Sequence, residues 1–266
     1  MVIPFYDIDA SGNVIRRGDS ANYAGCGTEA QTAAMGRQYN TKVLASFGGA
    51  SSNGAYISHG NINFSLIRDL DGIDLDYELG QGHFGSDNNR LHNGLVNIAT
   101  QYRQKMPGKI LTMAPPSTQV LRPGSQYWCQ ALNTNVHSNY FAHGGSGYYD
   151  AISTLTSRGY NIDFVMPQIY NAPCFNPLLS TTWRSDSLPR LLTDIANVLG
   201  GDRSKVVFGT TCYSSNNGRL RTQGELDYAL NSISNSWSSN YGGYMSWMKA
   251  CDDETGFVRL LGNRGY

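Results

Sequence analysis

The stretch "DGIDLDYE", Asp71 to Glu78, sets four acidic residues into eight positions of an otherwise apolar run. Ile73, Leu75 and Tyr77 favour a strand, whereas Asp is among the poorest strand formers. Side chains alternate along a strand, so Asp74, Asp76 and Glu78 share one face and Ile73, Leu75 and Tyr77 the other. Successive members of the acidic row stand about 6.6 Å apart. If the apolar face meets helices, the acidic face points into the sheet's interior, where each unpartnered ionised carboxylate costs several kcal/mol. Carboxyls held that way share protons and take divergent pKa values, which leaves one of them an acid at neutral pH. Glu78 lies last, at the C-terminal end of the strand, where parallel barrels carry their active sites. A polar, solvated sheet edge and a calcium loop are the competing explanations. A calcium loop spreads its ligands over a Gly-containing turn and does not interleave them with Ile, Leu and Tyr.

The rest of the chain fits a catalytic strand in one large domain, residues 1–266. That length buries a substantial core without metal or disulfide support. Twenty Lys and Arg balance twenty Asp and Glu, so no net field draws the chain towards nucleic acid or an anionic membrane. With 17 Tyr against only 15 % charged residues, the surface suits stacking and neutral hydrogen bonds to a polar, uncharged partner. No apolar run reaches the roughly 18 residues that span a bilayer. The opening "MVIPFYDIDASGNV" reads as a strand and a turn at Ser11-Gly12-Asn13, not as a signal peptide. The five Cys are widely spaced without a CxxC, and the five His form no helical ligand pair, so neither a metal nor a cofactor is expected. Cys129 with Cys174 is the favoured disulfide, since both lie in loops flanking one expected strand; buried free thiols are the alternative.

Short apolar runs alternate with helical patterns. Strands are expected at 2–8, 42–48, 72–78, 109–115, 162–171, 205–213 and 242–248. Helices are expected near 28–39, 55–69, 88–105, 147–158, 185–199 and 223–236. Leu91, Leu95, Ile98 and Tyr102 recur at helical spacing within the third of these helices. Strand–helix alternation predicts βαβ units on a parallel sheet, closed as a barrel or wide and doubly wound. The chain has no Walker sequence and no GxSxG elbow. Residues 130–147 read as a long loop.

"DGIDLDYE" matches at all four acidic positions the DxxDxDxE signature of glycoside hydrolase family 18, the chitinase family, and other segments follow in family order. "SFGG" (46–49) resembles the SxGG end of the preceding strand, its glycines letting the strand turn beside the cleft. "MPQIYN" (166–171) resembles the strand with an active-site Tyr, and "GGYMSW" the last strand, which ends in an active-site Trp. "QIYNAPC" and "APP" look closest to the small plant-type and bacterial single-domain chitinases. The resemblance implies an α/β fold of the TIM (β/α)8 type. "VIPFYDID" aligns with the second family strand, so seven strands are expected, without the first βα unit and with two strand edges left open.

The resemblance also implies a chemistry, a retaining one without an enzyme nucleophile, an exception to the two-carboxylate scheme. Glu78 would protonate the glycosidic oxygen while the sugar's 2-acetamido carbonyl attacks the anomeric carbon; Glu78 then serves as base towards water. Asp76 would hold the acetamido N–H, with Asp74 supporting it from below, and Tyr170 would donate to the acetamido oxygen. Gln168 and Met166 share Tyr170's strand, Gln168 as a polar contact to sugar and Met166 chiefly as packing. Trp247 would floor the sugar, since pyranose C–H faces pack well on indole. Asp71 would brace the strand start, and Tyr127, Trp128 and Trp183 could supply outer sugar contacts. The implied partner is chitin or an N-acetylglucosamine oligosaccharide, handled by a secreted monomer. Too few residues separate Cys212 from Gly242 for an α+β insertion, which favours an open groove and internal cleavage. An endo-β-N-acetylglucosaminidase acting on N-glycans, or a sugar-binding lectin or inhibitor on the same barrel, are the alternatives.

Overall fold

The computed structural model describes residues 1–17, 27–78, 86–129, 134–137, 146–170, 187–211 and 241–247. Its spine is a run of parallel strands in chain order. β1 (Val2–Ile8), β3 (Leu44–Gly49), β4 (Gly72–Tyr77), β5 (Ile110–Met113) and β8 (Phe164–Val165) pair in succession. Bridges from Val165 to Val206 and from Gln168 to Gly209 carry the run on to β9 (Phe208–Thr211), which pairs with β10 (Tyr244–Trp247). These are the seven strands expected from the sequence, laid out as in a (β/α) barrel. Among the described residues no ladder joins β10 to β1.

One of the two edges expected to be open is partly covered. After a turn held by the Asp9 carboxylate, which accepts from the N–H groups of Ser11 and Asn13, the chain doubles back as β2 (Val14–Arg16). This strand pairs antiparallel with Tyr6–Ile8 and shields that part of the β1 edge.

Helices cover the outer face. α1 (Glu29–Gln38) starts in a capping box in which Thr28 Oγ1 accepts from Gln31 N–H and Gln31 Oε1 accepts from Thr28 N–H. α2 (Ser86–Lys105) turns the expected stripe of Leu91, Leu95, Ile98 and Tyr102 inward, each at most 1 % exposed. α3 (Gly147–Ser157) and α4 (Ser187–Val198) complete this layer among the described residues. Ile73, Leu75 and Tyr77 of β4 share one continuous hydrophobic core with these helices. A hairpin of β6 (Gln126–Cys129) and β7 (Thr134–His137) occupies part of the expected long loop.

The helix expected at 55–69 does not form; one 3-10 turn, Ser65–Ile67, stands in its place. Gly60, Asn61 and Asn63 break the pattern, and α2 supplies the hydrogen bonds that a helix would have made for itself. Asn97 Nδ2 donates to the carbonyls of Ile57 and His59, each at 3.0 Å, and Gln101 Oε1 accepts from Ile62 N–H at 2.8 Å. Lys105 Nζ donates to Ile62 O at 2.7 Å. Ile57, Ile62, Phe64 and Ile67 are still buried, so the crossover from β3 to β4 keeps its apolar anchors without a helix.

At the end of β3, Gly48 and Gly49 have φ of +107° and +76°. A Cβ on Gly48 would lie 2.6 Å from the carbonyl oxygen of Asp76. Gly48→Ala is therefore expected to destabilise the fold by about 2–5 kcal/mol, from backbone strain and overpacking together. A urea midpoint shift worth less than about 0.5 kcal/mol would contradict this close approach.

Candidate active site

The acidic row lies on the concave face of the sheet. Gly72–Tyr77 of β4 is buried throughout, with Asp74 2 % and Asp76 7 % exposed, while Glu78 just beyond is half-buried. Asp74 is in register with Ser46 on β3 and Thr112 on β5. Thr112 Oγ1 donates to Asp74 Oδ1 at 2.6 Å and Ser46 Oγ to Oδ2 at 3.1 Å, so each carboxylate oxygen has a hydroxyl. One level up, Gln168 Nε2 donates to Asp76 Oδ1 at 2.6 Å. Gln168 follows β8, two strands away, and a flat sheet would separate such positions by about 9–10 Å. The direct contact requires the sheet to curl around this face. Gln168 Nε2 also donates to Ala114 O at 2.9 Å, and the same side chain hydrogen-bonds Glu78.

Crowding acids in a dry interior moves their proton affinities. Burial raises Asp74 to about 6, against the lowering effect of Thr112 and Ser46. Asp76 is raised well above the ordinary carboxylate range, by burial first and then by the charges of Glu78 and Asp74. Glu78 is raised by burial, with the Gln168 hydrogen bond opposing. Burial, together with like charge at Asp76, thus favours the protonated form at this end of the row.

Tyr170 enters the same field. Its hydroxyl is raised well above the usual tyrosine range by burial and then by Asp76, Glu78 and Asp74, in that order. Five of the residues singled out in the sequence, Asp74, Asp76, Glu78, Gln168 and Tyr170, therefore meet in one place. Met166 is half-buried on the same segment, its N–H donating to Met113 O. Trp247 is placed by its backbone at the C-terminal end of β10, opposite Thr211. Asp71 braces the other end of β4: Oδ2 accepts from Val43 N–H at 2.9 Å and Oδ1 from Lys42 Nζ at 3.3 Å. Of the expected disulfide, Cys174 lies outside the described residues and Cys129 is described only in its backbone; Trp183 and the helix at 223–236 also lie outside them.

Three contributors escaped the sequence reading. Thr112 had a signal, a hydroxyl on the inward face of an apolar strand in register with Asp74. Asp7, whose Oδ1 accepts from Tyr77 Oη at 3.1 Å, and Tyr148, whose hydroxyl reaches the β4 backbone, had none. Among the described residues no cluster of His, Cys, Asp and Glu could hold a metal, and no helix is long and apolar enough to cross a membrane.

No family model and no curated protein matches the chain. Solved structures do. A glycoside hydrolase family 18 chitinase from Pseudoalteromonas aurantia superposes with a TM-score of 0.67 at 18 % identity, covering 98 % of this chain and 90 % of its own. A fungal endo-β-N-acetylglucosaminidase of the same family gives 0.56 at 18 % identity, over 92 % and 77 %. A xylanase and α-amylase inhibitor protein from Scadoxus multiflorus gives 0.59 at 20 % identity, over 98 % and 88 %. At these identities the likeness is one of fold. The chain has the TIM-barrel fold of the glycoside hydrolase family 18 proteins, in agreement with the resemblance carried by "DGIDLDYE".

The raised Asp74 makes stability depend on pH. Its native pKa of about 6 exceeds the unfolded value of 3.8, so the native state binds its proton more tightly. Its contribution is complete below pH 4 and is lost as pH rises through 6, about 3 kcal/mol in all. Asp74→Asn removes that loss. Urea unfolding at pH 4 and pH 8 should show the variant gaining on wild type by about this amount between the two pH values. An unchanged difference would rule Asp74 out as the source.

Proposed function

We propose that the chain is a member of glycoside hydrolase family 18 that cleaves β-1,4 linkages between N-acetylglucosamine units of chitin, with retention, through the substrate's own acetamido group. The observation that carries this is the inward row of Asp74, Asp76 and Glu78, with the proton affinities of Asp76 and Glu78 raised together and Tyr170 beside them. A chain that kept the barrel only for binding would have no need to bury three acids and bear their cost.

Glu78, whose proton affinity burial raises, gives its proton to the departing glycosidic oxygen. The acetamido carbonyl oxygen closes on the anomeric carbon as that bond breaks, forming an oxazolinium ion. Asp76 turns to the acetamido N–H and offsets the growing positive charge, with Asp74 beneath it in the row. Tyr170 donates to the acetamido oxygen and holds it for attack. Water then opens the ring as Glu78 takes back a proton, restoring the starting state. Gln168, whose amide nitrogen is engaged by Asp76 and Ala114, would meet sugar through its oxygen. Trp247 at the end of β10 would floor the sugar, with Met166 filling the wall. The enzyme needs no cofactor for this chemistry. It would act as a monomer and outside the cell, where an insoluble polymer is met.

Incubation with chitin oligomers, with a core N-glycan and with deacetylated chitosan tests the proposal. Wild type is expected to release chitin fragments with retained configuration, and Glu78→Gln to lose roughly 10²–10⁴-fold in rate. Asp76→Asn and Tyr170→Phe should each slow turnover, and chitosan should resist cleavage. Turnover of the N-glycan alone would assign the endo-β-N-acetylglucosaminidase activity instead. Tight oligomer binding without any release would assign a lectin or inhibitor.

A further inference from the structure

We infer that Tyr148 is a positioning residue for the acidic row: its hydroxyl replaces a ladder hydrogen bond that Pro116 cannot make and so fixes the peptide that carries Glu78. The inference rests on the proposed glycosidase activity for its consequence in rate, but its geometry stands on the fold alone.

The β4–β5 ladder runs in steps of two. Ile110 N–H donates to Asp71 O and Ala114 N–H to Leu75 O, the latter at 2.9 Å. The next step would bring the N–H of residue 116 to Tyr77 O. That residue is Pro, which has no N–H. Without another donor, the carbonyl immediately before Glu78 would be a buried acceptor left unpaired, and the end of β4 would be free to twist.

Tyr148 fills this place from the helix layer. It sits in the first turn of α3, fully buried, with its Oη 3.1 Å from Leu75 O and 3.2 Å from Tyr77 O. Those two carbonyls belong to the peptides leading into Asp76 and Glu78. The preceding residue lies close to α2: a Cβ on Gly147 would sit 2.6 Å from Asn88 Oδ1 and 3.0 Å from Leu91 Cδ2, so glycine lets α3 begin near α2 without moving those side chains. The side chain of Tyr77 is tied as well, donating to Asp7 Oδ1, whose Oδ2 accepts from Ser52 Oγ at 2.7 Å. The residue between Asp76 and Glu78 is thus held through both its carbonyl and its phenol. Fixing that backbone holds Glu78 where it meets the side chain of Gln168.

If Tyr148 positions Glu78, Tyr148→Phe keeps the ring's packing and loosens only the peptide. Glu78 then samples more water, and its raised pKa falls back towards the ordinary glutamate value. Hydrolysis of a defined chitin oligomer by the variant is expected to show kcat reduced about tenfold with KM within twofold, and the alkaline limb of the rate profile moved to lower pH. Carboxyl 13C NMR titration of Glu78 in the free protein should show the same downward midpoint shift. Adding Pro116→Ala supplies an N–H opposite Tyr77 O and should recover part of both changes, as well as stability if the single variant folds poorly. An unchanged Glu78 midpoint together with unchanged kcat, or a fall in both that Pro116→Ala leaves untouched, would overturn the inference. Absence of turnover in wild type would instead defeat the glycosidase proposal, and the Glu78 titration would still decide the role of Tyr148.

Discussion

Removing three carboxyl groups from water on one strand is the constraint around which the barrel is arranged. Each burial is unfavourable by several kcal/mol unless donors or shared protons offset it, so every element beside β4 contributes something. β3 and β5 bring Ser46 and Thr112 into register with Asp74, and the segment after β8 brings Gln168 across to Asp76. β3 also gives up a side chain at Gly48 so that its backbone can lie against Asp76 O. These are cross-strand demands, and a sheet that did not curl could not meet the one made by Gln168.

Curvature in turn requires a dependable outer layer, and the chain secures it in an unexpected way. Between β3 and β4 the helix of a regular βαβ unit is replaced by turns whose polar backbone is held by Asn97, Gln101 and Lys105 of α2. The apolar anchors Ile57, Ile62 and Ile67 keep the core closed above β4. One polar stripe on α2 thus serves the function of a missing helix. The adjoining stripe, Leu91 to Tyr102, packs into the core.

What could be read in the sequence follows from the range of the interactions involved. The strands were legible because their periodicity and end signals are local, and the acidic row because alternation places its three members without knowledge of any neighbour. Gln168 was legible as an inward residue but not as the partner of Asp76, since that pairing needs the strand order and the curl. The helix expected over 55–69 failed because its apolar positions are real while its hydrogen bonds are supplied from α2, which no local pattern records. β2 was hidden for a similar reason: three residues pair only because the Asp9 turn aims them back at β1. Tyr148 lies 71 residues from the carbonyl it serves, and nothing around it in sequence marks it as different from a core tyrosine.

The surroundings of the row change from one end of it to the other. Asp74, deepest, has a hydroxyl on each oxygen, and these hold its affinity to about 6 despite complete burial. It is therefore mostly ionised at neutral pH, and its charge joins burial in raising Asp76. Asp76 and Glu78 both take a hydrogen bond from the side chain of Gln168. Both are raised from the ordinary carboxylate value, and the pair lies at the C-terminal end of the strand. Two hydroxyls oppose protonation of Asp74, while burial and like charge favour it at Asp76, so proton affinity rises along the strand towards Glu78 at its end.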